Sequence, residues 1–235
     1  MKSAPFPSDE SARLQALESY NLLDSLPETV YEDITRLASE ICRTPISLVS
    51  LVDKERQWFK AKQGLNVDQT PREQSFCAHA ILDPNEIFIV PDARQDERFQ
   101  DNPLTTGEPH VVFYAGVPLV NPEGYPLGSL CVIDKRPRTL TDNQLASLKA
   151  LAKWVATEFE LKKTKEELQK SHNSLQAARQ ERIKVKHTLQ AGLQPLAQSI
   201  LDTTDTLLDN SPRTDQVAAL SSIREAGNSL LKLIR

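Results

Sequence analysis

The chain has 235 residues, 39% of them hydrophobic and 26% charged, with a formal net charge of −4, and this length suffices for one globular domain with an extended appendage. The weak negative charge argues against nucleic-acid binding, and no run approaches the ~18 apolar residues of a transmembrane helix, so we expect no membrane insertion. The N-terminus lacks the apolar run of a signal peptide, and three cysteines are an odd number, so we expect a cytoplasmic protein with reduced thiols.

The first half of the chain is predicted to fold as an α+β domain, with a central antiparallel sheet and flanking helices. Residues 8–20 and 28–43 carry apolar side chains at helical spacing, and Pro45 ends the second helix. Short apolar runs predict five strands, at 46–53, 57–63, 87–91, 111–120 and 127–134. A short helix is expected at 75–82, while 70–73 and 92–106 are expected to be irregular.

The second half is predicted to be helical. No glycine or proline interrupts residues 141–191, and a narrow apolar stripe continues through leucines seven residues apart, at Leu161, Leu168 and Leu175. This pattern is typical of a coiled coil, with a stutter between Leu175 and Val185 where the spacing is irregular. A break at 209–214 precedes a shorter helix, so the two helices form an antiparallel hairpin. One hairpin buries little surface alone, and we expect a homodimer that closes a four-helix bundle.

Several short motifs occur in one order through the first half: RQWFK (56–60), SFCAHAI (75–81), VPDA (90–93), FYAGVPL (113–119) and GSLCVID (128–134). Through them, residues 8–135 resemble a GAF domain of the bacterial signalling kind that precedes sensor histidine kinases and cyclic-dinucleotide enzymes. The resemblance implies a sensory domain with a ligand pocket on the sheet face that the crossover segments cover.

Residues 185–235 resemble the dimerisation and phosphotransfer hairpin of histidine kinases, through Pro195-Leu196 and the later helix. In that family the phosphorylated histidine lies five residues before this proline, and here the position is occupied by Gln190. An amide cannot accept a phosphoryl group, and His187 lies three residues away on a different side of the helix. We therefore expect no phospho-acceptor and no enzyme activity, although a longer parent chain could be a histidine kinase.

These patterns predict four segments in the chain. An N-terminal helix and linker (1–26) precede a GAF sensor domain (27–138). A signalling helix or coiled coil (139–184) then leads to a kinase-type dimerisation hairpin (185–235).

Eight side chains are candidates for the ligand site: Trp58, Phe76, Cys77, His79, Asp92, Arg94, Arg98 and Tyr114. The aromatic ones could line a pocket or could simply be core, and strand alternation lets only one of Trp58 and Phe59 face it. The charged ones could orient a small ligand, or could cap loops and form surface ion pairs.

Cys77 and His79 raise the questions of metal and cofactor binding. A Cys-x-His pair supplies two ligands where zinc needs three or four, so we expect no metal site. Covalent bilin attachment is also not expected, because phytochrome-type GAF domains place their cysteine later than this one. The cofactor therefore remains unknown, and a buried structural cysteine is the alternative to a reactive thiolate.

The main functional prediction is a non-catalytic, dimeric sensory module of the two-component type, in which a GAF domain signals through a coiled coil to a dimerisation bundle. Its expected partners are a small-molecule ligand and a kinase or response regulator. Two alternatives stay open: a thiol-dependent small-molecule reductase that uses Cys77 with Cys131 or Cys42, and a ligand-free dimerisation adaptor.

Overall fold

The computed structural model describes residues 1–210 and 212–234, which form two compact units, Met1–Glu166 and Glu167–Arg235. Ser211, in the predicted break, lies outside the described residues. The helices are α1 (Glu10–Ser19), α2 (Thr29–Cys42), α3 (Phe76–Ala80), α4 (Pro103–Thr106), α5 (Asp142–Asp209) and α6 (Thr214–Ile234). The strands are β1 (Ile46–Val52), β2 (Arg56–Gln63), β3 (Gln69–Pro71), β4 (Phe88–Val90), β5 (Phe113–Val120) and β6 (Pro126–Asp134).

The first unit contains one six-stranded antiparallel sheet in the order β3-β2-β1-β6-β5-β4. This confirms the predicted fold class. Two elements were missed: β3 lies where a loop was expected, and α4 lies in the segment expected to be irregular. The β3 strand forms because residues 69–71 pair with residues 56–58 at the sheet edge, a contact that local sequence does not encode.

The two central strands, β1 and β6, are buried along their whole lengths because both faces of the sheet are covered. One face of the sheet packs against α1, α2 and the start of α5. The buried side chains between them form the helix-side cluster: Leu17, Tyr31, Ile34, Val49, Leu51, Trp58, Phe113, Leu130, Leu148, Val155 and Phe159. The other face, the crossover-side cluster, includes Leu48, Phe59, Phe76, Cys77, Phe99, Val111, Tyr114, Cys131 and Ile133.

A β-bulge places a lysine inside the helix-side face. Val49 pairs with Ala61 but the next residue, Ser50, pairs with Phe59, so Lys60 is the extra residue. The Lys60 side chain is fully buried, and its ammonium contacts Ser25 Oγ at 2.7 Å, the Leu26 carbonyl at 2.7 Å and the Glu28 carboxylate at 2.6 Å. Lys162 contacts the same carboxylate at 2.6 Å, so Glu28 joins the linker, β2 and α5.

The second unit contains the part of α5 from Glu167 onward and the shorter helix α6 that follows it. They pack where Ala197 and Leu201 are buried against α6, and a Cβ at Gly227 would lie 2.9 Å from the Leu201 side chain. Elsewhere a row of apolar side chains is exposed on α5 and α6, namely Leu168, Leu175, Ile183, Val185, Leu189, Leu196, Ile200, Leu207, Val217, Ile223, Leu230 and Leu233.

The Glu28 contacts make stability depend on pH. Burial raises the pKa of the Glu28 carboxyl, but hydrogen bonds from Lys162 and Lys60 outweigh it and hold the pKa below its ordinary value. A carboxyl with a lowered folded pKa stabilises the fold above its unfolded pKa, and that stability is lost as the pH falls through the folded value.

We expect Glu28→Gln to lower the free energy of unfolding near neutral pH by roughly 2 kcal/mol, less than the loss for a fully buried pair because Glu28 is partly exposed. In acid, where wild-type Glu28 is protonated, the difference should vanish. Urea unfolding at both pH values measures this difference, with Glu40→Gln, at an exposed position of the following helix α2, as control. An equal difference at both pH values would contradict the ion-pair explanation.

Candidate functional site

The candidate aromatic side chains of the crossover-side cluster pack against one another instead of lining open space. The rings of Phe76 and Phe99 are stacked with centroids 3.9 Å apart, and the Phe76 and Tyr114 centroids are 5.3 Å apart. None of the three is more than 3% exposed. At this place the protein's own side chains fill the face of the sheet.

A small polar group lies beneath these rings. The sulfur atoms of Cys77, on α3, and Cys131, on β6, are 3.9 Å apart. The Tyr114 hydroxyl donates to the Cys77 sulfur at 3.3 Å and lies 3.2 Å from Ser129 Oγ. Both cysteines are fully buried, so no metabolite reaches either thiol in this conformation.

The two thiols differ in acidity because they share hydrogen bonds. Burial raises the pKa of the Cys77 thiol, but hydrogen bonds from Cys131, Ser129 and Tyr114 outweigh it and lower the pKa to about 6. Burial, together with the hydrogen bond to Cys77 and its negative charge, raises the pKa of Cys131 well above its ordinary value. The pair therefore loses its first proton readily and holds the second.

His79 and Arg98 lie at the rim of the same cluster. His79 Nε2 is 3.1 Å from the Lys2 carbonyl oxygen, and its ring meets Phe99 edge-on at 4.9 Å. Burial lowers the pKa of His79, which favours the neutral ring. The Arg98 guanidinium lies 4.9 Å from the Phe88 ring and forms an ion pair with Asp96.

Three candidate residues lie elsewhere. Asp92 and Arg94 form a local ion pair at 2.7 Å in which Arg94 is largely exposed, as expected for a surface pair. Trp58 belongs to the helix-side cluster, and its neighbour Phe59 is the one that belongs to the crossover-side cluster. The structure thus brings together Phe76, Cys77, His79, Arg98 and Tyr114, and it separates Trp58 from them by the thickness of the sheet.

An open pocket of about 510 Å³ lies beside the packed cluster. Its walls are mostly apolar and come from β1, β2 and β6 together with the loops around residues 64–71 and 104–111: Ile46, Leu48, Phe59, Leu65, Val67, Leu104, Pro109, Val111 and Ile133. The sequence prediction missed this pocket. The sequence feature that could have indicated the pocket is the presence of apolar residues in loop segments. Val67, for example, is half exposed.

Polar side chains complete the lining of this pocket: Gln57, Asn66, Gln69, Thr70, Glu108 and Lys135. Gln57 Nε2 donates to Thr70 Oγ1 at 2.8 Å, and the side-chain oxygen Oε1 of Gln57 accepts from the Ser75 hydroxyl. The same Ser75 hydroxyl caps α3 by accepting a hydrogen bond from the Ala78 backbone amide. Lys135 and Glu108 line it as an exposed pair at 3.6 Å. Such a lining suits a small, mainly apolar molecule with one or two hydrogen-bonding groups.

In the second unit, Gln190 links the two helices. Its side-chain amide donates to the Ile234 carbonyl oxygen, which ties α5 to the last turn of α6. His187 is exposed. Gln190 therefore has a structural partner within the hairpin.

Metal ligands do not cluster in the described part of the chain: within 1–210 and 212–234, no three His, Cys, Asp or Glu residues could hold one ion together. The helices within the same residues are each too short or too polar to span a membrane.

Comparison with known proteins identifies a matching family. The GAF domain family matches residues 26–159. A cyclic di-GMP phosphodiesterase of Pseudomonas aeruginosa is 46% identical over 156 residues, which are 66% of this chain and 26% of that protein. This chain therefore corresponds to about a quarter of the relative's length.

Among solved structures, the PixJ GAF domain of Thermosynechococcus elongatus, in its blue-light absorbing form, has a TM-score of 0.50 at 14% identity. The match covers 72% of this chain and 98% of that domain. At this identity the likeness concerns the fold alone.

The Tyr114 hydroxyl is expected to control the acidity of Cys77. Tyr114→Phe removes one donor to the thiolate, so the Cys77 pKa should rise from about 6, and the fold should lose about 1 kcal/mol with the hydrogen bond. The ultraviolet absorbance of the thiolate across a pH titration measures the shift, with Cys77→Ser as the baseline. An unchanged titration in a folded variant would show that Tyr114 does not act on this thiol.

Proposed function

The chain belongs to the GAF domain family, whose members are typically sensory, and on this premise we propose that it is a ligand-responsive input module of a signalling protein. The pocket beside β1, β2 and β6 carries this proposal, because it is open while the neighbouring part of the same sheet face is tightly packed. Its mostly apolar walls favour a small organic molecule over a highly charged one.

A short path leads from the pocket to α5. Ile133 lines the pocket and is followed by Asp134, whose carboxylate accepts from the Arg136 amide at 3.1 Å and pairs with Arg138. Seven residues separate Asp134 from Asp142, where α5 begins. A ligand that favours one position of the end of β6 would bias the start of α5.

The exposed apolar row of α5 and α6 supports a homodimer through the C-terminal helices. Leu168 and Leu175 are each 69% exposed and seven residues apart, the spacing at which two helices bury a common seam. We propose that a second copy of the chain covers this row in a four-helix bundle. A downstream partner would bind the bundle differently according to its geometry.

The output is proposed to belong to another protein or another domain. Because Gln190 cannot accept a phosphoryl group, the bundle would act on a kinase or response regulator without being phosphorylated at this position. The phosphodiesterase relative suggests a second output, since input domains of this kind also occur in a protein named for cyclic di-GMP hydrolysis. In both cases this chain contributes the sensing and dimerisation steps.

Of the alternatives, the ligand-free adaptor has an observation in its favour, namely the stacked packing of Phe76, Phe99 and Tyr114 in the expected site. The reductase has less support, because the Cys77 and Cys131 sulfurs are buried away from substrate. The next experiment separates the sensor from the adaptor.

We expect the purified chain to carry a small molecule that appears as extra mass in native mass spectrometry and is lost on denaturation. Val67→Trp should abolish it, because the indole would occupy the mouth of the pocket without entering the core. Ile89→Trp, on the edge strand β4 and also partly exposed, is the control and should keep the extra mass. Bare wild-type chains would support the adaptor instead.

The dimer has its own test. Leu196 is 62% exposed on α5, so Leu196→Glu should be harmless to a monomer but should raise the dimer dissociation constant at least about tenfold, which is ~1.4 kcal/mol. Sedimentation equilibrium measures this constant. Gln194→Glu adds the same charge at a polar exposed position nearby and should leave it unchanged; equal effects of both variants would contradict the proposed seam.

A further inference from the structure

Cys77 and Cys131 form a buried dithiol that the ligand pocket does not use. They come from different elements, α3 and the central strand β6, and are 54 residues apart in the chain. Their sulfurs are 3.9 Å apart, so a bond of about 2.05 Å needs an approach of roughly 1.9 Å. The third thiol, Cys42, lies in the helix-side cluster on the opposite face of the sheet.

The surroundings of this pair are polar in an otherwise apolar core. The hydroxyls of Tyr114 and Ser129 contact each other and the Cys77 sulfur is within reach of Tyr114. Ser50 stands directly across from Ser129 in the β1–β6 register, and within the described residues its buried hydroxyl has no hydrogen-bond partner. A purely structural pair of thiols would not need three hydroxyl groups.

We propose that Cys77 and Cys131 are a redox modification site that closes to a reversible intramolecular disulfide when the protein meets a hydroperoxide. The pocket and its ligand are not needed for this inference. The covalent bond would hold α3 against β6.

The chemistry balances with hydrogen peroxide as oxidant. The Cys77 thiolate attacks one peroxide oxygen, the O–O bond breaks, and the second oxygen leaves as water after taking a proton, which gives a sulfenic acid. The Cys131 sulfur then attacks the Cys77 sulfur as its thiol proton passes to the sulfenic oxygen; the S–O bond breaks, and that oxygen leaves as a second water. Two thiols lose two electrons and two protons, and one peroxide becomes two waters.

The local groups suit both steps. The lowered pKa of Cys77 favours this thiol as the attacking thiolate, and the raised pKa of Cys131 favours its protonated form in the reduced pair. The hydroxyls of Ser50, Ser129 and Tyr114 can hydrogen-bond the sulfenic oxygen, which burial would otherwise leave unpaired. Hydrogen peroxide is close to water in size, so small openings of the five-residue helix α3 suffice to admit it.

Closure has a consequence at the pocket. Ser75 caps α3 and donates to Gln57, which lines the pocket. A displaced α3 therefore changes the position of a pocket side chain through one hydrogen bond. Hydrogen exchange should report slower opening of α3 in the oxidised chain.

The test treats the folded wild-type chain with hydrogen peroxide, counts free thiols after denaturation, and maps the peptides. We expect the three thiols to fall to one, a mass loss of two hydrogens, a cross-linked peptide joining residues 77 and 131, and full reversal by dithiothreitol. Cys42→Ser, the matched control, should still form the bond, while Cys77→Ser and Cys131→Ser should not.

Three results would overturn the proposal: a folded wild-type chain that keeps all three thiols, a Cys77 oxidised to sulfinic acid without cross-linking, or a cross-link that joins two chains or includes Cys42. The wild-type peptide map decides between these results even if a serine variant fails to fold.

Discussion

Burial of β1 and β6 on both faces is the constraint on which the rest of the first unit depends. An antiparallel sheet can leave one face to solvent, but here every residue of these strands must meet a helix or a crossover segment. The helix-side cluster takes α1, α2 and the start of α5, which leaves the other face to short elements such as α3. These short elements cover one part of the crossover-side face completely and leave the pocket open beside it.

The same constraint explains which features could be predicted from sequence. Apolar runs identified β1, β5 and β6 well because long buried strands have a strong local pattern. Alternation separated Trp58 from Phe59, but the prediction assigned Trp58 to the ligand site, whereas the structure places Phe59 on the crossover side and Trp58 on the opposite face. The face that each residue takes depends on which elements pack there. The bulge at Lys60 changes the alternation within β2, and a lysine is tolerated there because Ser25, Leu26 and Glu28, all distant in sequence, supply its polar partners.

The candidate site was predicted only in part for a related reason. Phe76, Cys77 and His79 belong to one compact motif, so the sequence located them together, and the structure places them in one cluster. The open space is formed instead by two loops that are far apart in sequence, around 64–71 and 104–111. A cavity is the volume left after packing, and no residue pattern encodes it directly. The pairing of Cys77 with Cys131 likewise depends on the crossover that brings α3 onto β6.

The start of α5 has a practical consequence for protein engineering. Leu148, Ala152, Val155 and Phe159 are buried in the first unit and fix which side of the helix faces the sheet. Each added residue turns a helix by about 100°. A chimera that joins this domain to a foreign helical output therefore keeps the rotational orientation of the output helix only when the junction is moved by whole heptads. Libraries built with other spacings would sample outputs with inverted or silent responses.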